Sequence, residues 1–213
     1  MAKKKISRDD IKEAYIRHYL EVGGEPASVY KLASSLGIVE SVFYDHFGSF
    51  KGLERAIWAE YMDEALDILA KDAGYEAFNV REKLLSFYFT HIQQLRNHRS
   101  FILAQFKEVK PGPELPAFLR DYRDKFTTYA QSIIKEGIES GEIADRKYLT
   151  EQYYRGFWVQ LLFVLKFWVD DDSSGFTKTD AAIEKAVNLS FDLIGRGPLE
   201  SMIDFAKFVV QNR

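Results

Sequence analysis

The chain has 213 residues, of which 46% are hydrophobic and 29% charged, with a net charge of −3. This is an ordinary globular mixture, long enough to bury a core of its own, and it carries no overall basic signal for nucleic acid. The absence of cysteine excludes disulfides, thiolate metal sites and cysteine nucleophiles.

The start, MAKKKISRDDIKEAY, is basic but has no apolar stretch behind it, so it does not read as a signal peptide. Residues 1–51 hold eight Lys/Arg and seven Asp/Glu, which leaves the remainder at −4. The local excess sits in Lys3, Lys4, Lys5 and Arg8, either an ordinary tail or an arm that tracks a groove. Helical periodicity runs throughout and predicts an all-α fold. Helix 1 is expected at Ser7–Val22, capped by Ser7, with Ile11, Ala14, Tyr15, His18 and Tyr19 on one face and Gly23-Gly24 ending it. Ser28 caps a short second helix over Val29–Leu36. Gly37 opens a tight turn, a third helix covers Glu40–His46, and Ser49 caps a long fourth helix over Phe50–Ala73. Beyond Gly74, helices are expected at Arg81–Arg96, Ser100–Glu108, Leu115–Ser140, Tyr148–Val169, Thr179–Ile194 and Leu199–Gln211. Pro111-Gly112-Pro113 is the clearest loop. The longest apolar run, Phe157–Val169, has 13 residues and contains Gln160 and Lys166, too short and too polar to span a bilayer. The expectation is a soluble cytoplasmic protein with no membrane partner.

Within Pro26–Trp58, two short helices flank a glycine-centred turn. Val29, Leu32 and Ala33 face inward from the first, and Val42 or Phe43 together with Phe47 from the second. Gly37 supplies a backbone conformation that a β-carbon would penalise. This is helix-turn-helix geometry, whose second helix can enter a major groove about 12 Å wide. Ile11, Ala14, Tyr19, Gly23, Ser28, Val29, Leu32, Ala33, Gly37, Ile38, Tyr44, His46, Phe47, Ser49 and Leu53 closely resemble the N-terminal pattern of the TetR/AcrR family of transcriptional regulators.

The resemblance implies a three-helix DNA-binding head over residues 1–49 and a larger helical effector-binding and dimerisation domain over 50–213. Helix 4 would link the two. It implies that Tyr44, His46 and Ser28 meet phosphates, and that Glu40, Ser41, Val42 and Asp45 face base edges. Two departures stand out. Val39 occupies the usual capping serine position, which forgoes a cap worth ~1 kcal/mol. Phe50 replaces the usual lysine at the head of helix 4, with Lys51 one position later. One residue turns a side chain by about 100° around a helix, so Lys51 reaches a phosphate from a different angle. Glu40 and Asp45 place carboxylates at the DNA face. They suit a cytosine-containing operator or a weakened head, or else they point into solvent or pair with Lys31 or Lys51.

Aromatic residues make up 15% of the chain and crowd residues 87–168. Each ring alone is core material; together they suggest an apolar effector cavity of the kind similar family bodies hold. Tyr88, His91, Tyr122, Tyr129 and Trp158 combine rings with hydrogen-bonding tips and are the candidate ligand-binding residues, for a small hydrophobic or aromatic effector. The resemblance places a homodimer interface on the helices at about 148–169 and 179–194. The stripes expected there are Phe157, Leu161, Val164, Leu165 and Trp168 on one helix, and Ile183, Val187, Ser190, Phe191 and Ile194 on the other. Two heads on such a dimer would read a pseudo-palindromic operator. His18, His46, His91 and His98 have no metal-ligand spacing, and Asp170-Asp171-Asp172 reads as a solvated loop. No catalytic motif is found, and neither a cofactor nor a metal is expected. The reading is a ligand-responsive repressor, not an enzyme. The rival is a protein of the same fold that carries a lipid or isoprenoid and has lost DNA binding.

Overall fold

The computed structural model describes residues 6–108, 114–146, 149–195, 197, 205 and 208–211. Lys3, Lys4 and Lys5, the Pro111-Gly112-Pro113 loop and most of the helix expected at Leu199–Gln211 lie outside the described residues. The described residues form nine α-helices: α1 (Arg8–Val22), α2 (Val29–Ser35), α3 (Glu40–Tyr44), α4 (Phe50–Lys71), α5 (Val80–Leu95), α6 (Arg99–Glu108), α7 (Arg120–Ser140), α8 (Tyr153–Asp170) and α9 (Thr177–Ile194). Among the described residues there is no strand, only an isolated antiparallel bridge between Ile143 and Gly195. The all-α expectation holds.

The helix ends follow from local chemistry. Ser7 and Asp10 form a reciprocal capping box at α1, with Asp10 N–H donating to Ser7 Oγ at 3.1 Å and Ser7 N–H to the Asp10 carboxylate at 2.8 Å. Gly23 closes α1 in the left-handed conformation (φ 87°). Ser28 Oγ accepts from Lys31 N–H at 3.2 Å, and Ser49 Oγ accepts from Gly52 N–H at 3.1 Å at the start of α4. Gly37 sits at φ 67°, where the chain reverses between α2 and α3 and Ile38 N–H donates back to Ala33 O. Val39 caps α3 with no side-chain hydrogen bond.

Several boundaries differ from expectation, most by one or two residues, and those of α3, α7 and α8 have a visible cause. α3 ends at Tyr44, since the N–H of Asp45 still bonds four residues back to Ser41 O but that of His46 reaches only three back, to Phe43 O, and tightens the last turn. α7 begins at Arg120 after a single 3₁₀ turn over Ala117–Leu119, since Pro116 has no N–H and biases Leu115 away from helical angles. α8 begins at Tyr153, again after a 3₁₀ turn (Thr150–Gln152).

The chain divides into two compact units. One contains residues 1–64 and 93–125, the other residues 65–92 and 126–213. Helices α4, α5 and α7 have residues in both. In the first unit, Ile11, Tyr15 and Tyr19 of α1, Leu32 and Ala33 of α2, Phe43 and Phe47 near α3, Leu53 and Trp58 of α4, and Phe101 and Ile102 of α6 are buried together. Phe43 is the inward residue of α3, while Val42 is only half-buried. Phe50 explains one departure from the family pattern. Its ring lies 5.4 Å from Tyr15 and 5.6 Å from Phe43, edge-on to the latter, so it wedges α1 and α3 onto the start of α4.

In the second unit the core is Phe87, Tyr88 and His91 of α5, Phe126 and Ala130 of α7, Phe157, Leu161, Val164, Leu165 and Trp168 of α8, and Ile183, Val187 and Phe191 of α9. The two stripes expected to form a dimer interface are therefore largely consumed within one chain: Leu161, Val164, Leu165, Trp168, Ile183 and Val187 are 0% exposed. They face each other because α8 and α9 pack side by side. The Asp170–Asp172 loop is also not simply solvated. Asp171 is buried and accepts from Thr179 N–H at 2.9 Å, Thr179 Oγ1 at 2.6 Å and Ser173 N–H at 2.8 Å, which anchors the start of α9. Burial pushes the Asp171 carboxyl up, but these hydrogen bonds from Ser173 and Thr179 prevail and hold it well below the usual carboxylate range.

Two tests follow from this packing. A β-carbon on Gly137 of α7 would lie 2.6 Å from Ile143 Cδ1 and 3.0 Å from Val80 Cγ2, both wholly buried residues. Gly137→Ala is therefore expected to lower stability by ~1–3 kcal/mol through overpacking, despite alanine's better helix propensity; a denaturation midpoint at or above that of the parent would refute the close approach. His91 is also wholly buried, and burial pushes its imidazole down to about 3. In the unfolded chain it titrates near ~6.5, so between these values the unfolded state binds more protons. The stability it contributes is complete above ~6.5 and is lost as the pH falls towards its folded value. His91→Phe is expected to flatten the stability–pH slope between about pH 6.5 and 5, measured by urea unfolding. An unchanged slope would show that His91 is not the titrating group.

Candidate functional site

The first unit presents the candidate nucleic-acid face. On α3 and at its C-cap, Glu40, Ser41, Tyr44 and Asp45 are exposed, Val42 is half-buried, and Phe43 with Phe47 anchors the element from behind. The exposed positions are i, i+1, i+4 and i+5, one side of a helix. Tyr44 is 52% exposed and leans edge-on against Phe43, with ring centres 5.5 Å apart. His46 is half-buried; its carbonyl accepts from Arg8 at 3.2 Å. Ser28 and Lys51, at the heads of α2 and α4, are both exposed. Neither Glu40 nor Asp45 pairs with Lys31 or Lys51 among the described residues, so the carboxylates stand on this face without a compensating cation.

Sequence reading missed the role of Arg8, which it placed in a basic arm. The Arg8 guanidinium lies 4.4 Å above the Phe47 ring while donating to His46 O. It thereby ties the first turn of α1 to the turn after α3. The two residues lie 38 apart in sequence, and no local pattern announces the contact. Tyr30 of α2, 62% exposed, is a second aromatic side chain on the helix-turn-helix that was not singled out.

The five candidate ligand-binding residues fall into two clusters. Tyr122 belongs to the first unit, where its ring meets Trp58 edge-on at 5.4 Å, and Phe118 stacks on Trp58 at 5.3 Å. Tyr88, His91, Tyr129 and Trp158 belong to the second unit. There Phe87 is the hub: His91 stacks on it at 5.4 Å, Tyr129 lies at 4.8 Å and Phe126 at 5.5 Å, and Trp158 lies 6.1 Å beyond Phe126. The hydroxyls of Tyr88 and Tyr129 are engaged. Tyr88 Oη donates to Gln160 Oε1 at 3.1 Å, and Tyr129 Oη donates to Lys83 O at 3.2 Å and lies 3.0 Å from Tyr75 Oη. Burial pushes both tyrosine hydroxyls well up and keeps His91 neutral, so at neutral pH this core offers uncharged hydrogen-bonding groups among rings. Gln160, not singled out from the sequence, is 7% exposed, and its Nε2 has no hydrogen-bond partner among the described residues.

The outward faces of α8 and α9 carry a second apolar row. Val159 (64% exposed), Phe163 (48%) and Leu189 (59%) line a groove of about 750 Å³, floored in part by the small residues Gly156, Ala182 and Ala186. Among the described residues no cluster of His, Asp and Glu could hold a metal ion, and no helix is long and apolar enough to cross a membrane.

Comparison with known proteins places this architecture. Residues 83–209 match the family model of the tetracyclin repressor-like C-terminal domain. No curated protein matches the sequence. Among solved structures, a Shewanella sp. PV-4 protein assigned to the tetR family of transcription regulators is 16% identical and superposes with a TM-score of 0.61, over 92% of this chain and 100% of its own. A bacterial regulatory protein of the tetR family from Rhodococcus RHA1 is 18% identical, with a TM-score of 0.56 over 91% of this chain and 98% of its own. The ketosteroid transcriptional regulator KstR2 of Mycobacterium tuberculosis is 16% identical, with a TM-score of 0.51 over 89% and 95%. At such identities the likeness is one of fold, but the family model takes in more than half of the sequence, and the chain belongs to the TetR family of transcriptional regulators.

Proposed function

We propose that this protein is a ligand-responsive DNA-binding regulator, a repressor released from a pseudo-palindromic operator by a small apolar or aromatic effector. The observation that carries the reading is α3, five residues long, held from behind by Phe43 and Phe47 with its opposite side open to solvent. In this reading residues 1–49 bind DNA and residues 50–213 sense the effector and dimerise. Tyr44, His46, Ser28 and Lys51 meet phosphates and set register, while Glu40, Ser41, Val42 and Asp45 face base edges. A carboxylate can accept from cytosine N4, which gives Glu40 and Asp45 a use at this face. The protein acts in the cytoplasm and is not an enzyme.

The effector binds among Tyr88, His91, Tyr129 and Trp158, with Tyr122 responding from its own cluster around Trp58. Neutral hydrogen-bonding groups among packed rings suit a largely apolar ligand with one or two polar atoms. The name of the ketosteroid regulator KstR2 is in keeping with a ligand of that character. Binding shifts α4, which has residues in both units. The ligand must favour the state that does not bind DNA for release to follow.

The homodimer forms through α8 and α9, as the family leads one to expect, but through their outward rows. Val159 and Phe163 of α8 and Leu189 and Leu193 of α9 are exposed large apolar side chains, and Gly156, Ala182 and Ala186 let a second pair of helices approach closely. Phe163→Glu combined with Leu189→Glu is expected to give a folded monomer in sedimentation experiments. A dimer that survives both charges would move the interface elsewhere.

A second reading rests on Glu40 and Asp45, which are exposed and form no ion pair among the described residues. It makes the protein a carrier of a lipid or isoprenoid that no longer binds DNA. Selection of duplexes from a random pool, followed by titration at several salt concentrations, separates the two. The regulator reading expects a specific duplex whose affinity falls steeply with salt. Lys51→Ala should reduce the salt slope by about 1 and Tyr44→Ala should weaken all duplexes alike, while Ser41→Ala shifts base preference. If no duplex is enriched even at low salt, the carrier reading takes its place.

A further inference from the structure

We infer that Glu54 is a positioning residue that sets the seat of the DNA-binding head, by clamping α1 and α6 onto α4 through a single carboxylate oxygen. Tyr15 Oη of α1 donates to Glu54 Oε1 at 2.8 Å, and Gln105 Nε2 of α6 donates to the same oxygen at 3.0 Å. Gln105 Oε1 in turn accepts from Trp58 Nε1 at 2.7 Å. Tyr15 and Trp58 are 0% exposed and Gln105 is 2% exposed. All four residues lie in the first compact unit.

The chemistry leaves little freedom in this arrangement. The Trp58 indole can only donate, so Gln105 must turn its oxygen towards Trp58 and its NH₂ towards Glu54. Two buried donors from different helices then converge on one carboxylate oxygen, a strong acceptor. Burial and the neighbouring Glu54 push the Tyr15 hydroxyl far up, so it remains a donor at every working pH. Around the clamp, the Tyr15 and Tyr19 rings meet Phe101 of α6 edge-on at 6.4 and 5.3 Å. Tyr15 also contacts Phe50, which contacts Phe43 of α3. A displacement of α6 therefore reaches α3 through Gln105, Glu54, Tyr15 and Phe50 as well as along α4.

The consequence for operator binding rests on the DNA-binding reading above; the clamp itself does not, and the test keeps them apart. Amide hydrogen exchange in α1 is followed for Tyr15→Phe, Gln105→Met and the double variant of the full chain. Neither residue bonds the other, but both bond Glu54, so their effects on α1 protection are expected to be non-additive by about tenfold in exchange rate. Additive effects overturn the clamp. Glu54→Gln retains the shared oxygen and is expected to keep most of the protection, whereas Glu54→Leu strands both donors and loses it; equal behaviour of the two also overturns it. Should Glu54→Leu fail to fold, the Tyr15–Gln105 cycle still decides. For a duplex selected from a random pool, Gln105→Met, remote from the α3 face, is expected to weaken binding by about tenfold. Leu84→Ala, a core substitution in the other unit and outside α8 and α9, serves as a control for general destabilisation and should leave that affinity near the parent's. Equal losses in both make Gln105 merely structural and refute a positioning role. If no duplex is enriched but the exchange cycle is non-additive, the clamp stands and the DNA-binding reading fails.

Discussion

A fully buried tyrosine hydroxyl has to find an acceptor, and in the first unit that need falls on Tyr15. Its ring closes the core between α1, α4 and α6, and its oxygen is satisfied by Glu54 alone among the hydrogen bonds described. Leaving such a donor without a partner in the interior costs about 1–3 kcal/mol, a large share of a typical folding free energy. Phe50, Phe101 and Tyr19 pack around the same ring. The helix-turn-helix is thus seated by a polar bond inside an aromatic collar. Apolar burial supplies the attraction, and the carboxylate fixes the orientation. Ion pairs between α4 and the start of α7, Lys125 to Asp63 at 2.8 Å and Arg55 to Asp121 at 3.6 Å, lie at the half-exposed edge of the unit and contribute little by comparison.

The second unit is governed by the fact that α8 and α9 are apolar on two sides. One side of each is spent against the other helix and against the Phe87–Phe126 core. The opposite side, with Phe163 and Leu189, remains open. At ~25 cal/mol per Å² of apolar surface, covering that second row is a substantial driving force for association. Polar groups at the ends of these helices are used locally. Asp171 holds the start of α9, and Arg146 donates to the carbonyls of Leu193 and Gly195 at its end, at 2.6 and 3.2 Å. The acidic loop is a structural fastening, and the same holds for the isolated bridge at Ile143.

The departures from the family's sequence pattern divide by cause. Phe50 is accounted for by packing, since a lysine there could not bridge Tyr15 and Phe43. Val39 leaves α3 without a side-chain cap, and α3 is only five residues long. Its conformation is therefore imposed by Phe43, Phe47 and the Arg8 contact more than by local propensity. Glu40 and Asp45 have no packing explanation, and their placement on the open face ties them to whatever that face meets.

The sequence by itself determined the helices, their caps and the turn at Gly37, because capping bonds and helical periodicity act over three or four residues and are written locally. It also determined the family, through side chains from Ile11 to Leu53 that must recur at fixed spacings for α1, α2 and α3 to cross. Only the tertiary structure decided which apolar face of α8 and α9 was spent inside the chain, since periodicity shows that a face is apolar and not what covers it. It separated Tyr122 from Tyr88, His91, Tyr129 and Trp158, which composition had grouped by proximity along the chain. It moved Arg8 from a basic arm to the ring of Phe47. It also brought Glu54, Gln105 and Tyr15 to one oxygen across separations of 39 and 51 residues. Contacts of that reach depend on how helices pack, and no local pattern encodes them.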